Sequence, residues 1–421
     1  MRGGSVVDVL YERCCGLDIH KKLVVACMIT PGLKGTPRKE VRSFGTMTAD
    51  LLVLSDWLEE QGATHVAMES TGVYWKPLFN LLEDRFTLVL ANAQHIKQVP
   101  GRKTDVKDCE WIADLLRHGL LRPSYVPDRP QRELRELTRF RTTLVRERAR
   151  EVNRIQKTLE GANVKLGDVA SDVLGTSGRA ILDALVGGMT DTAILADLAH
   201  GRLRDKRASL ERAVDARMGA HQRFLLAEQL AHYDALNQSI DRVSAEIAER
   251  VRLFEPIIER MDAIPGIGRR VAEILVAEVG TDMSRFPSAA HLASWAGICP
   301  GNNESAGKRK SGRIRRGSPW LRTALVEAAH AAVRAKDTYL SAQFRRLAAR
   351  RGAKKASVAV AHSILVIVWH LLQHDCHYVD LGTNYFDEHD RQQVARRLVK
   401  RLEGLGYRVA LDSLPPSASA A

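Results

Sequence analysis

Apolar residues follow two different spacings along the chain, and the spacing changes near residue 130. Before that point, short apolar runs of strand length alternate with amphipathic segments of helix length. Three strands come first and strands then alternate with helices, which is the order of an RNase H-like α/β domain. The predicted strands are 14–19, 23–29, 41–44, 66–69 and 86–90, and the predicted helices are 48–61, capped by Thr48, 75–82 and 105–118.

From residue 131 onward, apolar positions recur every three or four residues within long charged segments, which predicts helices. The clearest series runs from Leu226 to Phe254 and covers about four heptads. It predicts an antiparallel coiled-coil hairpin or a dimer interface, although an ordinary bundle helix gives the same pattern. The apolar run 356–372 is interrupted by two histidines and a serine, so we expect a buried helix and no membrane span.

The changes in spacing predict a chain of class α/β plus all-α. Residues 1–130 form the RNase H-like (RuvC-like) domain, and 131–255 form a helical coiled-coil linker or dimerisation region. Residues 256–395 form a mainly helical C-terminal domain. Residues 396–421 form a tail whose end lacks apolar residues, so we expect that end to be disordered.

Charge adds a class of partner to this picture. The chain has 63 Lys and Arg against 50 Asp and Glu, a net charge of +13. Nucleic acid is the common partner of so basic a protein, although a solubilising surface charge gives the same count. The 6 cysteines show no C-x-x-C pair and no zinc spacing, so we expect reduced, buried thiols. The N-terminus lacks a secretion pattern, and we expect a cytoplasmic protein.

Four acidic residues lie where an RNase H-like domain would gather metal ligands. Asp18 and Glu69 end predicted strands, and Asp105 and Asp108 are three apart on one predicted helix. Carboxylate oxygens from several elements can hold two divalent ions, one beside the attacking oxygen and one beside the leaving oxygen. A single acid at a strand end is more often a turn residue, so this prediction rests on all four together.

A glycine-rich turn at residues 264–269, Ile-Pro-Gly-Ile-Gly-Arg, separates two predicted helices. This pattern is typical of a helix-hairpin-helix, in which backbone N–H groups approach a phosphate without reading sequence. A plain glycine-rich turn between helices would look the same. Gly266, Gly268 and Arg269 are therefore candidate contacts to a nucleic-acid backbone.

A basic segment at residues 301–317 contains glycines and two serines that could act as nucleophiles, Ser305 and Ser311. A cluster of cations could stabilise the negative charge that builds on a phosphorus atom under attack. Serine is a poor nucleophile until it is activated, so the pattern alone favours a phosphate-binding loop over covalent catalysis. The candidate nucleic-acid contacts in this segment are Lys308, Arg309, Lys310, Arg313, Arg315 and Arg316.

Several short motifs point to one family when they are taken together. The chain contains GLDIHK at 16–21, MESTGVYW at 68–75 and VPGRKTDVKD at 99–108, followed by IPGIG at 264–268, LASWAG at 292–297 and SAGK at 305–308. These motifs resemble the DEDD transposases of bacterial insertion sequences, the group that includes Piv-type DNA invertases and bridge-RNA-guided recombinases. The resemblance extends from about residue 14 to residue 375.

The resemblance implies that Asp18, Glu69, Asp105 and Asp108 bind Mg²⁺ or Mn²⁺ in a RuvC-like domain. It implies that Ser305 attacks a DNA phosphodiester and becomes covalently linked to it. It also implies a dimer or tetramer in which the serine of one subunit works with the acids of another. A structured guide RNA would pair with double-stranded element and target DNA, leaving the protein to contact backbones. Arg102 and Lys103, which precede the last two acids, are further candidate nucleic-acid contacts.

The leading hypothesis is an insertion-sequence transposase or site-specific recombinase that cuts and rejoins DNA through a phosphoserine. Two alternatives use the same fold. A RuvC-like metal-dependent junction nuclease would cut with activated water and form no covalent intermediate. A nucleic-acid scaffold without chemistry would need none of the four acids.

Overall fold

The computed structural model describes residues 8–32, 36–70, 72–98, 108–300, 303–305, 308–311, 313–314 and 317–411. For residues 94, 97–98, 303–305 and 309–311 it describes the backbone alone. The chain divides into two compact units, one ending at Asp128 and the other beginning at Arg129.

The first unit is built on a mixed sheet of five strands. The strands are β1 (Cys14–Ile19), β2 (Leu23–Thr30), β3 (Arg38–Gly45), β4 (His65–Glu69) and β5 (Thr87–Ala91), and the helices are α1 (Thr48–Glu60), α2 (Trp75–Leu82), α3 (Ala93–Gln98) and α4 (Asp108–Arg117). The strand order is β3-β2-β1-β4-β5. β1 pairs antiparallel with β2 and parallel with β4, and β5 is parallel to β4. This mixed sheet fits the predicted RNase H-like domain.

Helices cover both faces of the sheet because each buried strand is apolar on both sides. Leu17 and Met68 belong to the core that also contains residues of α1 and α2. Cys14 and Ala67 belong to a second core, formed with α4. Successive strand residues point to opposite faces, so even-numbered residues of β1 and odd-numbered residues of β4 face α4.

The absence of a side chain at Gly16 sets how closely α4 approaches β1. A Cβ atom on Gly16 would lie 2.3 Å from the Cys109 carbonyl oxygen and 2.4 Å from the Ala113 nitrogen. At the far end of α4, the Arg117 carbonyl accepts a hydrogen bond from the Leu10 N–H group at 2.9 Å. α4 therefore runs antiparallel to β1, and its first turn lies toward the carboxyl end of that strand.

Three local features of this unit differ from what the sequence predicted. Thr48 is the first residue of α1 and not its cap; the N-cap is Met47, whose side chain accepts no hydrogen bond. β3 is longer than the predicted 41–44, because its pairing with β2 continues through polar residues to Arg38. The short helix α3 was not predicted. The predicted start of α4 at Asp105 lies outside the described residues.

The second unit is mainly helical. Its helices are α5 (Arg129–Gly161), α6 (Leu166–Val169), α7 (Thr176–Val186), α8 (Thr192–Asp197), α9 (Arg207–Val214), α10 (Ala220–Arg250), α11 (Glu255–Asp262), α12 (Arg269–Val279), α13 (Ala289–Ala296), α14 (Pro319–Arg334), α15 (Tyr339–Arg351), α16 (Ala353–His374), α17 (Tyr385–His389) and α18 (Arg391–Glu403). Two short strands, β6 (Asn303–Ser305) and β7 (Lys308–Ser311), lie between α13 and α14.

The long helices α5 and α10 pack against each other in antiparallel orientation. Arg250 pairs with Glu133 at 2.7 Å, and the Thr158 hydroxyl donates a hydrogen bond to Gln229 at 2.9 Å. Residue numbers therefore increase along one helix as they decrease along the other. Much of the predicted heptad series of α10 is buried within the chain, including Leu226, Leu230, Leu236, Ile240 and Ile247. Coiled-coil supercoiling of this pair stays a prediction.

Two large hydrophobic cores stabilise the second unit, in addition to a small cluster between α5 and α10. One contains residues of the later part of α5, of α6–α9 and of the start of α10, and the other contains residues of α11–α16. Among the described helices, α16 is long and apolar enough to cross a membrane by length and composition. However, Val360, Ile364 and Leu365 are buried in the core that contains residues of α11–α16, in agreement with the predicted buried helix.

The C-terminal segment differs in part from its prediction. The tail was expected to begin at residue 396, but α18 extends across that position to Glu403. None of the side chains of α18 is buried, so this helix contributes no residue to the buried cores. The predicted disorder concerned residues that lie outside the described part of the chain.

We expect Gly16→Ala to destabilise the first unit by about 1–3 kcal/mol, because the added methyl group overlaps the α4 backbone. Denaturant unfolding monitored by circular dichroism measures this change. Gly167→Ala is the control, since its added Cβ atom would lie 3.8 Å from the nearest side chain, in ordinary contact. Equal stability of the two variants would contradict the proposed role of Gly16.

Candidate active site

The carboxyl ends of two neighbouring strands bring Asp18 and Glu69 to the same level of the sheet. β1 and β4 are parallel, and Leu17 is opposite Met68 in their register. Asp18 and Glu69 are the next residues on each strand. Because Leu17 and Met68 face the core containing α1 and α2, alternation places both acids on the opposite face, which α4 covers.

Asp108 joins this edge of the sheet from α4. It is the first residue of the helix, whose first turn packs against Gly16. An acidic residue there also interacts favourably with the free N–H groups of the helix start. The fold therefore brings Asp18, Glu69 and Asp108 to one end of β1 and β4. Asp105, Arg102 and Lys103 lie outside the described residues.

A histidine that the sequence analysis did not select lies beside Asp18. His20 Nε2 is 3.1 Å from Asp18 Oδ2, and the Asp18 side chain is 27% exposed. The signal was present in the sequence, since His20 follows Asp18 by two residues in a polar turn. Asp114, farther along α4, instead forms a 2.5 Å ion pair with Lys39.

The chemical nature of the nearby groups favours a hard divalent cation. Carboxylate oxygens suit Mg²⁺ or Mn²⁺, whereas softer metals prefer thiolates. The thiols of Cys14 and Cys27 are buried, and burial raises the pKa of each to about 12, which disfavours the thiolate form. Within the described ranges, which leave out Asp105, no three His, Cys, Asp or Glu side chains are close enough together to hold an ion.

Ser305 lies in a β-hairpin, whereas the sequence predicted a loop. β6 and β7 are antiparallel, and Ser305 is paired with Lys308, so only residues 306 and 307 separate the two partners. Ser311 is paired with Asn303 at the other end of the hairpin. The two candidate serines therefore occupy opposite ends of this element. Lys308 and Arg313 are exposed, Arg309 and Lys310 belong to β7, and Arg315 and Arg316 lie outside the described residues.

The base of the hairpin is attached to the helical core by several contacts. Pro300 forms an isolated bridge with Ile314. A Cβ atom on Gly317 would lie 2.2 Å from the Ala296 carbonyl oxygen, so the chain here packs tightly on α13. Ser318 caps α14 and donates a hydrogen bond from its hydroxyl group to Glu278 Oε2 at 3.1 Å.

The Pro-Gly turn connects α11 and α12, and its residues have different environments. Gly266 has a φ of +89°, and a Cβ atom there would lie 2.2 Å from the Ala328 carbonyl oxygen, so packing on α14 already requires glycine. Gly268 is the N-cap of α12 and has open space around its Cα. Arg269 forms ion pairs with Glu255 and Glu273. A helix-hairpin-helix contact with phosphate stays a prediction.

Comparison with known proteins identifies two matching family models. A DEDD transposase model, described as Transposase, matches residues 15–164. A model described as Transposase IS116/IS110/IS902 family matches residues 258–345. The first range contains the four acids, and the second contains the Pro-Gly turn and Ser305.

Individual relatives are named as transposases or as insertion-element proteins. A "Probable family 20 transposase" of Pseudomonas aeruginosa is 29% identical over 74% of this chain and 85% of its own length. The "Transposase for insertion sequence element IS1111A" of Coxiella burnetii is 26% identical over 67% of this chain and 70% of its own length. The "Insertion element IS116 uncharacterized 44.8 kDa protein" of Streptomyces clavuligerus is 30% identical over 54% and 63%, respectively. The chain belongs to the IS110 family of DEDD transposases.

Proposed function

We propose that this transposase cuts and rejoins DNA through a covalent phosphoserine at Ser305, with a metal site formed by Asp18, Glu69, Asp105 and Asp108. The observation that carries the proposal is the position of Ser305, directly opposite Lys308 near the closed end of a cationic hairpin. That position separates it from Ser311, the other candidate nucleophile. A junction nuclease would need the acids but would have no use for a serine at this place.

The acids are proposed to act as oxygen ligands. Members of the DEDD family generally depend on a divalent metal. Asp18 and Glu69 would contribute from adjacent strand ends and Asp108 from the start of α4, with Asp105 completing the set. Mg²⁺ or Mn²⁺ held there would stabilise the attacking and leaving oxygens of a phosphodiester exchange. The Gly16 contact keeps Asp108 at the same edge as the two strand acids.

The serine step is proposed to be a transesterification. The Ser305 hydroxyl gives up its proton to a base, its oxygen forms a bond to phosphorus, and one P–O bond of the DNA strand breaks. The leaving oxygen takes up a proton, so no oxidant or reductant is required. Lys308 and the neighbouring cations would offset the charge that develops on the phosphate oxygens.

Guidance by a structured RNA and assembly into a dimer or tetramer are further parts of the proposal. The net charge of +13 suits a protein that contacts nucleic-acid backbones while base pairing supplies sequence recognition. On α10, Phe224 is 67% exposed and Leu225 is 39% exposed, next to the buried series. These two residues, and not the buried seam with α5, are the apolar side chains that α10 offers to another copy.

We expect Ser305→Ala to abolish the covalent protein–DNA adduct and strand exchange, because the attacking oxygen is lost. Ser311→Ala is the matched control and should retain both the adduct and strand exchange, because Ser311 lies at the other end of the hairpin. Denaturing gel electrophoresis with labelled DNA detects the adduct. Cleavage at the wild-type rate by Ser305→Ala would favour the junction nuclease instead.

We expect Asp18→Asn and Glu69→Gln each to reduce DNA cleavage by at least about 100-fold. Loss of a residue that only hydrogen-bonds a metal ligand costs about 10- to 100-fold in activity, and loss of the ligand itself should cost more. Asp114→Asn is the control, since this acid on α4 is paired with Lys39. Single-turnover cleavage during a Mg²⁺ titration measures the effect. Full activity of both ligand variants would instead favour a scaffold without chemistry.

We expect the purified protein to retain a structured RNA, and its affinity for nucleic acid to fall roughly a thousandfold between 50 and 200 mM salt if six or more phosphates are contacted. Extraction and sequencing identify the RNA, and filter binding gives the salt slope. Full recombination after complete ribonuclease digestion would contradict RNA guidance.

A monomer in sedimentation, with and without nucleic acid, would contradict the proposed assembly.

A further inference from the structure

We infer that Glu278 positions the serine hairpin by fixing its base to α5 and α12. This inference rests on the proposed function, because it assigns Glu278 a role relative to the attack by Ser305. Glu278 lies in α12 and touches neither DNA nor the reacting atoms in this proposal. It acts through Ser318, the residue that ends the connection from β7 to α14.

The first observation is the burial and pairing of the Glu278 carboxylate. Its side chain is 1% exposed. Arg139 of α5 donates to both of its oxygens, from Nε at 2.7 Å and from Nη2 at 2.9 Å. Arg135, one turn earlier on α5, donates from Nη2 to the Glu278 backbone carbonyl at 2.5 Å. This forked geometry fixes the orientation of the carboxylate more strictly than a single contact would.

The second observation is the contact from this carboxylate to the hairpin base. Oε2 of Glu278 accepts a hydrogen bond from the Ser318 hydroxyl at 3.1 Å. The same Ser318 oxygen accepts from the Leu321 N–H group at 3.3 Å and so caps α14. Gly317, immediately before it, packs against the backbone of Ala296. Glu278 therefore holds the point at which the chain leaving β7 enters the helical core.

A second buried glutamate on α12 provides a comparison for this contact. Glu273 is 3% exposed and lies 2.7 Å from Arg141 Nη2, an ion pair whose geometry does not make a hydrogen bond. It also pairs with Arg269 at 3.0 Å. Both glutamates thus connect α12 to arginines of α5. Within the described contacts, only Glu278 also bonds to the residue at the base of the hairpin.

The chemistry of the proposed reaction makes such positioning consequential. A displacement at phosphorus requires the attacking oxygen in line with the leaving oxygen, and an error of about 1 Å can cost a hundredfold in rate. A two-stranded hairpin has little apolar burial of its own, so its orientation depends on its anchor points. Glu278 supplies one anchor at the C-terminal end, and the bridge between Pro300 and Ile314 holds the two arms of the hairpin together at its base.

The test compares two variants that lose the anchor with two matched controls. Glu278→Gln and Ser318→Ala should slow formation of the Ser305–DNA adduct at saturating DNA by about tenfold or more. Glu273→Gln loses another buried ion pair between α12 and α5, and Ser288→Ala loses another serine cap, on α13. Both controls should remain near the wild-type rate. Ser318→Thr keeps a hydroxyl group and should therefore form the adduct near the wild-type rate.

Limited trypsin digestion of the full chain provides a readout that does not depend on chemistry. Cleavage after Lys308, Arg309, Lys310 or Arg313, identified by mass spectrometry, should be faster in Glu278→Gln and Ser318→Ala than in either control. Equal adduct rates and equal digestion across all four variants would overturn the positioning role. An absence of adduct in the wild-type protein would overturn the phosphoserine mechanism, while the digestion pattern would still decide whether Glu278 anchors the hairpin.

Discussion

The candidate metal site depends on one close contact, the approach of α4 to β1 at Gly16. A parallel pair of strands can place two acids side by side at its carboxyl end, but a third ligand must come from another element. Because Gly16 has no side chain, the backbone of Cys109 lies directly against β1. Any larger residue would push α4 outward and move Asp108 away from Asp18 and Glu69. The tight packing is therefore a requirement of the core and, under the proposed mechanism, of the metal site as well.

The second unit depends on buried charges in an analogous way. Glu273 and Glu278 are both on α12, and arginines of α5 neutralise them. A buried ion pair often adds no more stability than apolar residues of the same size would. Its contribution is geometric, since a misplaced register between α5 and α12 would leave a buried charge without a partner. The two glutamates thus favour a single alignment of these helices, and Glu278 also bonds to Ser318, which follows the serine hairpin.

The sequence predicted those parts of the structure that local apolar spacing determines. β1 and β4 are short, largely apolar runs of strand length, so Asp18 and Glu69 could be placed at strand ends. The hairpin was missed because β7 is a run of polar residues, Lys308–Ser311, with no apolar alternation. Its strands depend on cross-strand pairing, which no local pattern reveals. The role of Glu278 was also invisible, since its partner Arg139 lies 139 residues away along the chain.

The proposed mechanism divides its reacting groups between the two compact units, and this division has a physical consequence. The acids lie in a unit with its own sheet and cores, whereas the serine hairpin belongs to a unit stabilised by helix packing. The contacts of Gly16 with α4 and of Glu278 with Ser318 each lie within one unit. A phosphodiester bond would then be exchanged only where both units meet the same DNA. Under this proposal, specificity would come from the assembly on nucleic acid, since the proposed acids and the proposed serine lie in different units.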